Sequence, residues 1–90
     1  MHAEMKREML ADAAVRAAYE ALEDEFAIID ALVRARARAG LSQAELARRM
    51  GTTQSAIARL EGGKVMPMIA TLRRYAEATG SRLSFRMDMI

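Results

Sequence analysis

The chain has no cysteine and no tryptophan, and only one histidine, one proline and five glycines in 90 residues. Without cysteine there is neither a disulfide frame nor a thiolate metal site, and a single histidine at position 2 nearly removes imidazole chemistry. The remaining carboxylates belong mostly to helix surfaces, so no convergent set of nucleophile, base and stabiliser can be assembled. The expectation is a protein that is not an enzyme and takes no cofactor, no metal and no small-molecule substrate. No run has the length and freedom from charge of a membrane span, and Met1 to Glu8 lack the apolar core of a secretory signal, so a cytoplasmic protein with no membrane partner is expected. Scarce proline and glycine leave little room for turns, while alanine, arginine, leucine and glutamate are abundant, which predicts mostly helix. Ninety residues make one compact domain with a modest core, which oligomerisation or a partner would help to stabilise.

The net charge of +2 conceals a division along the chain. Residues 1 to 30 hold three basic side chains against eight acidic ones, a balance of −5, so residues 31 to 90 carry +7. A basic C-terminal part suits a phosphate backbone, which would repel the acidic N-terminal part. The two ends are therefore expected to serve different partners.

Within the basic part, Ser42 and Glu45 have the spacing of a capping box, with the hydroxyl capping a helix and the carboxylate reaching back to the cap amide. Leu46 and Met50 then share a face, with small Ala47 between them, where a bulkier side chain would hold a second helix away. Gly51 can take a positive φ and stop the helix, and Thr53 can cap the next one. That second helix turns Ile57 and Leu60 inward and shows Gln54, Ser55, Ala58 and Arg59 outward. Many amphipathic helix pairs in small bundles show a cap, a glycine and apolar spacing. All of them at these intervals describe a helix-turn-helix motif over 42–61, in which the second helix enters the major groove.

Before the motif, Val15, Tyr19, Leu22, Phe26, Ile29 and Val33 recur every three or four residues with no glycine or proline before Gly40. This stripe predicts one long helix, or two joined near Glu23-Asp24-Glu25 where Asp24 can cap. The part from Asp24 to Ala39 must be the first helix of the bundle, because a two-helix motif cannot enclose a core alone. Residues 1–22 have no such duty. They can fold back on the bundle, remain a solvated overhang, or dock on a basic partner protein through Met5, Met9, Val15, Tyr19 and Leu22. After the motif, Gly62-Gly63-Lys64 makes a turn, Pro67 precedes a helix over about 68–79 with Ile69, Leu72, Tyr75 and Ala76 inward, and Gly80 closes it. Beyond Gly80, Leu83, Phe85, Met87 and Met89 alternate with Ser84, Arg86 and Asp88, the pattern of a half-buried strand. Paired with its symmetry mate, such a strand would give a homodimer interface through Leu83, Phe85 and Met87.

The run Gly-Leu-Ser-Gln-Ala-Glu-Leu-Ala at 40–47, then Gly-Thr-Thr-Gln at 51–54 and Ile-Ala-Arg-Leu-Glu-Gly-Gly-Lys at 57–64, resembles the Xre/Cro family of helix-turn-helix regulators. More narrowly, Tyr19, Phe26, the 40–43 and 54–61 runs, and Leu72-Arg73-Arg74-Tyr75-Ala76 with Gly80 resemble HigA-type antitoxins of bacterial toxin–antitoxin modules. The first resemblance implies an all-α, lambda-repressor-like bundle of about five helices, here with an acidic N-terminal helical extension and a short C-terminal β-strand. The expected domains are an acidic segment at 1–22, the DNA-binding domain at 23–80 and the strand region at 81–90. The second resemblance implies an autorepressor that neutralises a basic, RelE/HigB-like mRNA-cleaving toxin and is nucleoid-associated when on DNA. A stand-alone Xre-family repressor is the alternative.

Double-stranded operator DNA is the expected partner of the motif. Gln54 can offer a bidentate amide to adenine, and Arg59, one turn on, can reach guanine or a phosphate. Ser55 lies beside Gln54, and Thr53 and Lys64 are expected at the backbone. The resemblance and the helix dipole together assign Gln43 a phosphate contact. Arg34, Arg36 and Arg38 are expected to serve solubility or weak phosphate steering, and Glu61 to fix the turn.

Overall fold

A computed structural model describes the backbone of residues 2–90 and the side chains of residues 12–90. Met5 and Met9, expected at a partner surface, thus have side chains outside the described residues. Four helices occur among the described residues: α1 (His2–Arg38), α2 (Gln43–Met50), α3 (Gln54–Glu61) and α4 (Ile69–Ala78). The expected count of about five is corrected because the first two pieces are one helix. Asp24 can cap, but no glycine or proline breaks the alanine-rich run around it, and continuing the helix keeps every backbone hydrogen bond that a break would lose.

The core joins Leu32 and Ala35 of α1, Leu41 of the following turn, Leu46, Ala47 and Met50 of α2, Ile57 of α3 and Tyr75 of α4, with Ile28, Leu60, Leu72 and Ala78 packed around them. Ala47 is buried where α2 meets its neighbours, as its small size requires. On α1 the face that enters this core is Ile28, Leu32 and Ala35. At 3.6 residues per turn this face lies roughly a third of a turn away from the stripe expected from the sequence. Val15, Tyr19, Leu22 and Phe26 are therefore exposed, and residues 12–27 form an arm covered by no other element among the described residues.

Gly51 ends α2 with φ 66°. Its N–H donates to the Arg48 carbonyl at 3.2 Å and the Thr52 N–H to the Ala47 carbonyl at 2.9 Å, so the reversal at Gly51 brings backbone donors back onto the carbonyls of the last turn. Gly63 takes the same left-handed conformation, with φ 71°. The turn after α3 passes so close to α1 that a Cβ on Gly63 would lie 2.7 Å from Ile29 Cδ1. Arg74 of α4 donates to the Met50 carbonyl and Arg49 of α2 to the Ala78 carbonyl at 3.3 Å, tying the end of α2 to α4.

Two further expectations are corrected. Residues 81–90 form no strand. Alternation sets which face a strand would bury, but a ladder needs a partner edge, and none lies within the described residues; Phe85 and Met87 stand exposed. Ile69 was expected inward and is 65% exposed, because the inward face of α4 runs through Leu72, Tyr75, Ala76 and Thr79 while the first turn stands clear of the bundle.

Gly51→Ala should lower stability by about 1–2 kcal/mol, the cost of a Cβ in the left-handed region, whereas Gly51→Asn should lose less. Urea unfolding of the two variants checks this; equal losses would refute the backbone explanation.

Candidate nucleic-acid interface

The motif's local chemistry is in place. The Ser42 hydroxyl accepts the Glu45 N–H at 3.1 Å and the Glu45 carboxylate accepts the Ser42 N–H at 3.4 Å, completing the capping box. The Ser42 side chain and the Ser42 backbone N–H, with Arg48 and Arg49 nearby, hold the Glu45 carboxyl below its ordinary value. Thr53 caps α3 by accepting the Ala56 N–H at 3.1 Å. Ile57 is fully buried and Leu60 half-buried, which turns the opposite side of α3 outward. Gln54, Ser55, Ala58 and Arg59 are all exposed there, and none of their side chains makes a hydrogen bond or ion pair within the described residues.

The orientation of α3 is set by a polar cluster beneath it. Glu61, in the last turn of α3, has a side chain only 6% exposed. Arg36 of α1 grips it with two hydrogen bonds, Nε to Oε2 at 2.8 Å and Nη2 to Oε1 at 2.7 Å, and donates a third to the Leu41 carbonyl at 3.1 Å. Gln43 Nε2, at the start of α2, donates to Glu61 Oε1 at 3.2 Å. The Tyr75 hydroxyl lies 2.8 Å from both Glu61 Oε2 and the Leu32 carbonyl, with a single proton to share between them. All four helices thus meet at one carboxylate. Burial on its own would raise the Glu61 carboxyl, but the hydrogen bonds from Arg36, Tyr75 and Gln43 outweigh it and hold the group below its ordinary value of 4.5. Burial, followed by the neighbouring carboxylate, pushes the Tyr75 phenol well above its ordinary value of 10, so it remains a neutral donor.

Of the residues expected to touch DNA, Thr53, Gln54, Ser55 and Arg59 lie together on α3 and its cap, and Lys64 is exposed on the turn that follows. Gln43 is half-buried and committed through one amide N–H to Glu61. Arg36, expected at the surface, belongs to the cluster instead, while Arg34 forms an exposed pair with Asp30 at 2.8 Å. Glu61 holds four helices rather than only a turn. Sequence reasoning missed Arg36 because its partner is 25 positions away. Tyr75 carried a signal, since a phenol on an inward helix face needs a polar partner. The sequence also gave no notice of a shallow groove beside α3, where Arg59 adjoins Thr52, Ala56, Thr71 and Arg74.

Against known proteins, a helix-turn-helix family profile matches residues 32–85. Two curated relatives, each called Antitoxin HigA1, come from Mycobacterium tuberculosis strains CDC 1551 / Oshkosh and ATCC 25618 / H37Rv. Both are 34% identical over 79 residues, which is 88% of this chain and 53% of theirs. The chain therefore spans about half the length of the curated relatives it matches. No solved structure gives a significant match.

The cluster dictates a pH profile. A carboxyl whose value is lowered by folding contributes stability that is complete above its ordinary value and disappears as pH falls through the folded one. Stability should therefore decline as pH drops below about 4.5, through Glu61 and to a lesser degree Glu45. The raised Tyr75 phenol has the opposite sign, and its contribution should be lost as pH climbs above about 10. Glu61→Gln should cost about 2–3 kcal/mol near neutral pH by leaving Arg36 unpaired, and its acid limb should be shallower. Urea titrations across pH test both; an acid limb of unchanged slope would remove Glu61 as its main source.

Proposed function

The chain belongs to the helix-turn-helix family, of the Xre type, and from that membership we propose that it is a DNA-binding repressor and the antitoxin of a toxin–antitoxin pair. The observation that carries the DNA-binding half is the outward face of α3. Polar side chains free of any structural duty lie there on a helix held fast from beneath, within the basic part of the chain.

In this reading α3 enters the major groove. Gln54 presents its amide to adenine, Arg59 reaches guanine, and Ser55 contacts an adjacent base edge. The hydroxyl proton of Thr53, not needed for its cap, and the ammonium of Lys64 go to phosphates. Gln43 keeps one amide N–H beyond the one given to Glu61, and that proton, at the positive end of α2, meets a phosphate from a side chain already fixed in place. Two copies, in contact through the exposed apolar side chains Leu83, Phe85 and Met87, cover two half-sites about 34–36 Å apart and so occlude a promoter.

The antitoxin half rests on similarity to proteins called Antitoxin HigA1 over most of this chain, together with the acidic arm of α1. The acidic segment at 1–22 holds a basic, RelE/HigB-like mRNA-cleaving toxin inactive, with Met5, Met9, Val15, Tyr19 and Leu22 as the contacts. Both activities belong to the cytoplasm, and neither involves bond-making chemistry. No helix among the described residues is long and apolar enough to cross a membrane.

Selection of binding sites from random duplexes, followed by fluorescence anisotropy, tests the DNA half. Arg59→Ala should lose about 1–3 kcal/mol on the selected sequence and much less on unrelated DNA. A uniform loss would reassign Arg59 to the backbone. For the antitoxin half, the tagged chain is purified from its native host and its companions weighed by intact mass. A small basic protein near stoichiometry, lost on deleting residues 1–22 while DNA binding survives, is expected; the chain alone as a dimer would favour a stand-alone repressor.

A further inference from the structure

The arm of α1 has a specific pattern. Val15, Tyr19, Leu22 and Phe26 are spaced four, three and four residues apart, and the same alternation continues through the half-buried Ile29 and Val33. This is the seam of a heptad repeat, which seats another helix rather than a flat sheet or an extended peptide. Its members are exposed by 52%, 64%, 45% and 64% in that order. The stretch covered by no other element, residues 12–27, is about 24 Å long at 1.5 Å per residue, enough for two heptads. The bundle does not need this surface, because the core takes the different face marked by Ile28, Leu32 and Ala35.

The flanks of the seam say what can lie against it. In the heptad register the positions beside it are Arg16, Glu23 and Asp30 on one side and Ala18 and Glu25 on the other, three acids against one base. A second copy aligned in parallel would set Glu25 against Asp30, and an antiparallel one centred on Glu23 would set that residue against itself, with Arg16 facing Asp30 as the one attractive pair. Asp30 is also already paired with Arg34 on its own helix. Like charges at these positions repel a copy of the chain and attract a helix of opposite sign. Tyr19 and Phe26, one heptad apart, offer ring faces on which lysine or arginine can stack.

We infer that this seam seats one amphipathic α-helix of a partner protein, with an apolar heptad stripe flanked on both sides by lysine or arginine. The contact extends through Phe26 and does not stop at residue 22. The inference rests on the reading that the chain has a protein partner, and names the element of that partner it grips.

The test uses the full chain and two synthetic three-heptad helical peptides with the same leucine seam, one carrying lysine at both flanks and the other glutamate. By anisotropy the lysine peptide should bind roughly tenfold or more tighter, with the advantage shrinking as salt rises. Tyr19→Ser with Phe26→Ser should abolish binding, and Glu23→Lys with Glu25→Lys should reverse the preference. All four positions are exposed, and circular dichroism checks that each variant folds. Equal binding of both peptides, binding of neither, or sedimentation of the chain as a dimer that the Tyr19/Phe26 variant abolishes would overturn the inference. The peptides contain no toxin, so failure here leaves the antitoxin reading standing. A chain that binds the lysine peptide yet co-purifies with no toxin would refute the antitoxin reading alone.

Discussion

The Glu61 carboxylate is where four helices with little apolar surface between them are fixed into one arrangement. Helices of eight to ten residues are too short to hold themselves in water, so α2, α3 and α4 depend on tertiary contacts. The apolar part of those contacts is modest, with few side chains fully buried. Apolar packing of this extent limits distance more than angle. The directed hydrogen bonds from Arg36, Gln43 and Tyr75 to the two oxygens of one carboxylate remove that freedom, because each is satisfied in only a narrow range of orientations. The cluster is complete, with no buried side-chain polar atom left unpartnered among the described residues. Completeness matters in a site of this kind, since one unpaired member would cost more than the rest contribute.

The same cluster joins stability to the outward face. Glu61 ends the helix whose other side carries Gln54, Ser55 and Arg59, and Gln43 begins the helix before it. A side chain aimed at a base edge needs its helix fixed to a fraction of a hydrogen-bond length, and a rigid support removes ordering that binding would otherwise have to supply. The buried charge is thus better understood as fixing the orientation of α3 than as a source of net stability, for which buried ion pairs are weak.

What could be read from the sequence follows the range of the interactions involved. The capping box of Ser42 and Glu45, the reversal at Gly51 and the Thr53 cap are formed by residues within five positions of each other, and all three occur as the spacing predicts. The outward display of Gln54, Ser55 and Arg59 follows from those caps and the helical period. Features that depend on distant partners were less legible. Arg36 looks like one of three similar surface arginines until Glu61 is folded against it. The apolar stripe from Val15 to Val33 identifies a helix correctly but not the face the core takes, because periodicity reports a preferred side and is silent about which neighbours exist. For residues 81–90 the alternation is real, but a strand is a property of two chains or two segments, and one segment's pattern cannot supply the other.

The unbroken course of α1 turns sequence length into an angle. Since the arm and the bundle share one helix, the direction of the Val15–Phe26 seam about the axis is fixed relative to Leu32, and through Leu32 and Arg36 relative to α3. Inserting or removing one residue between Phe26 and Ile28 would swing the seam by about 100° around the axis and shift it 1.5 Å along it, with no change in composition. Changes of seven residues nearly restore the angle, leaving a drift of roughly 20°. A substitution leaves the angle between the Val15–Phe26 seam and the outward face of α3 as it is, a change in length does not, and lengths that differ by whole heptads are the ones that keep the two in their present relation.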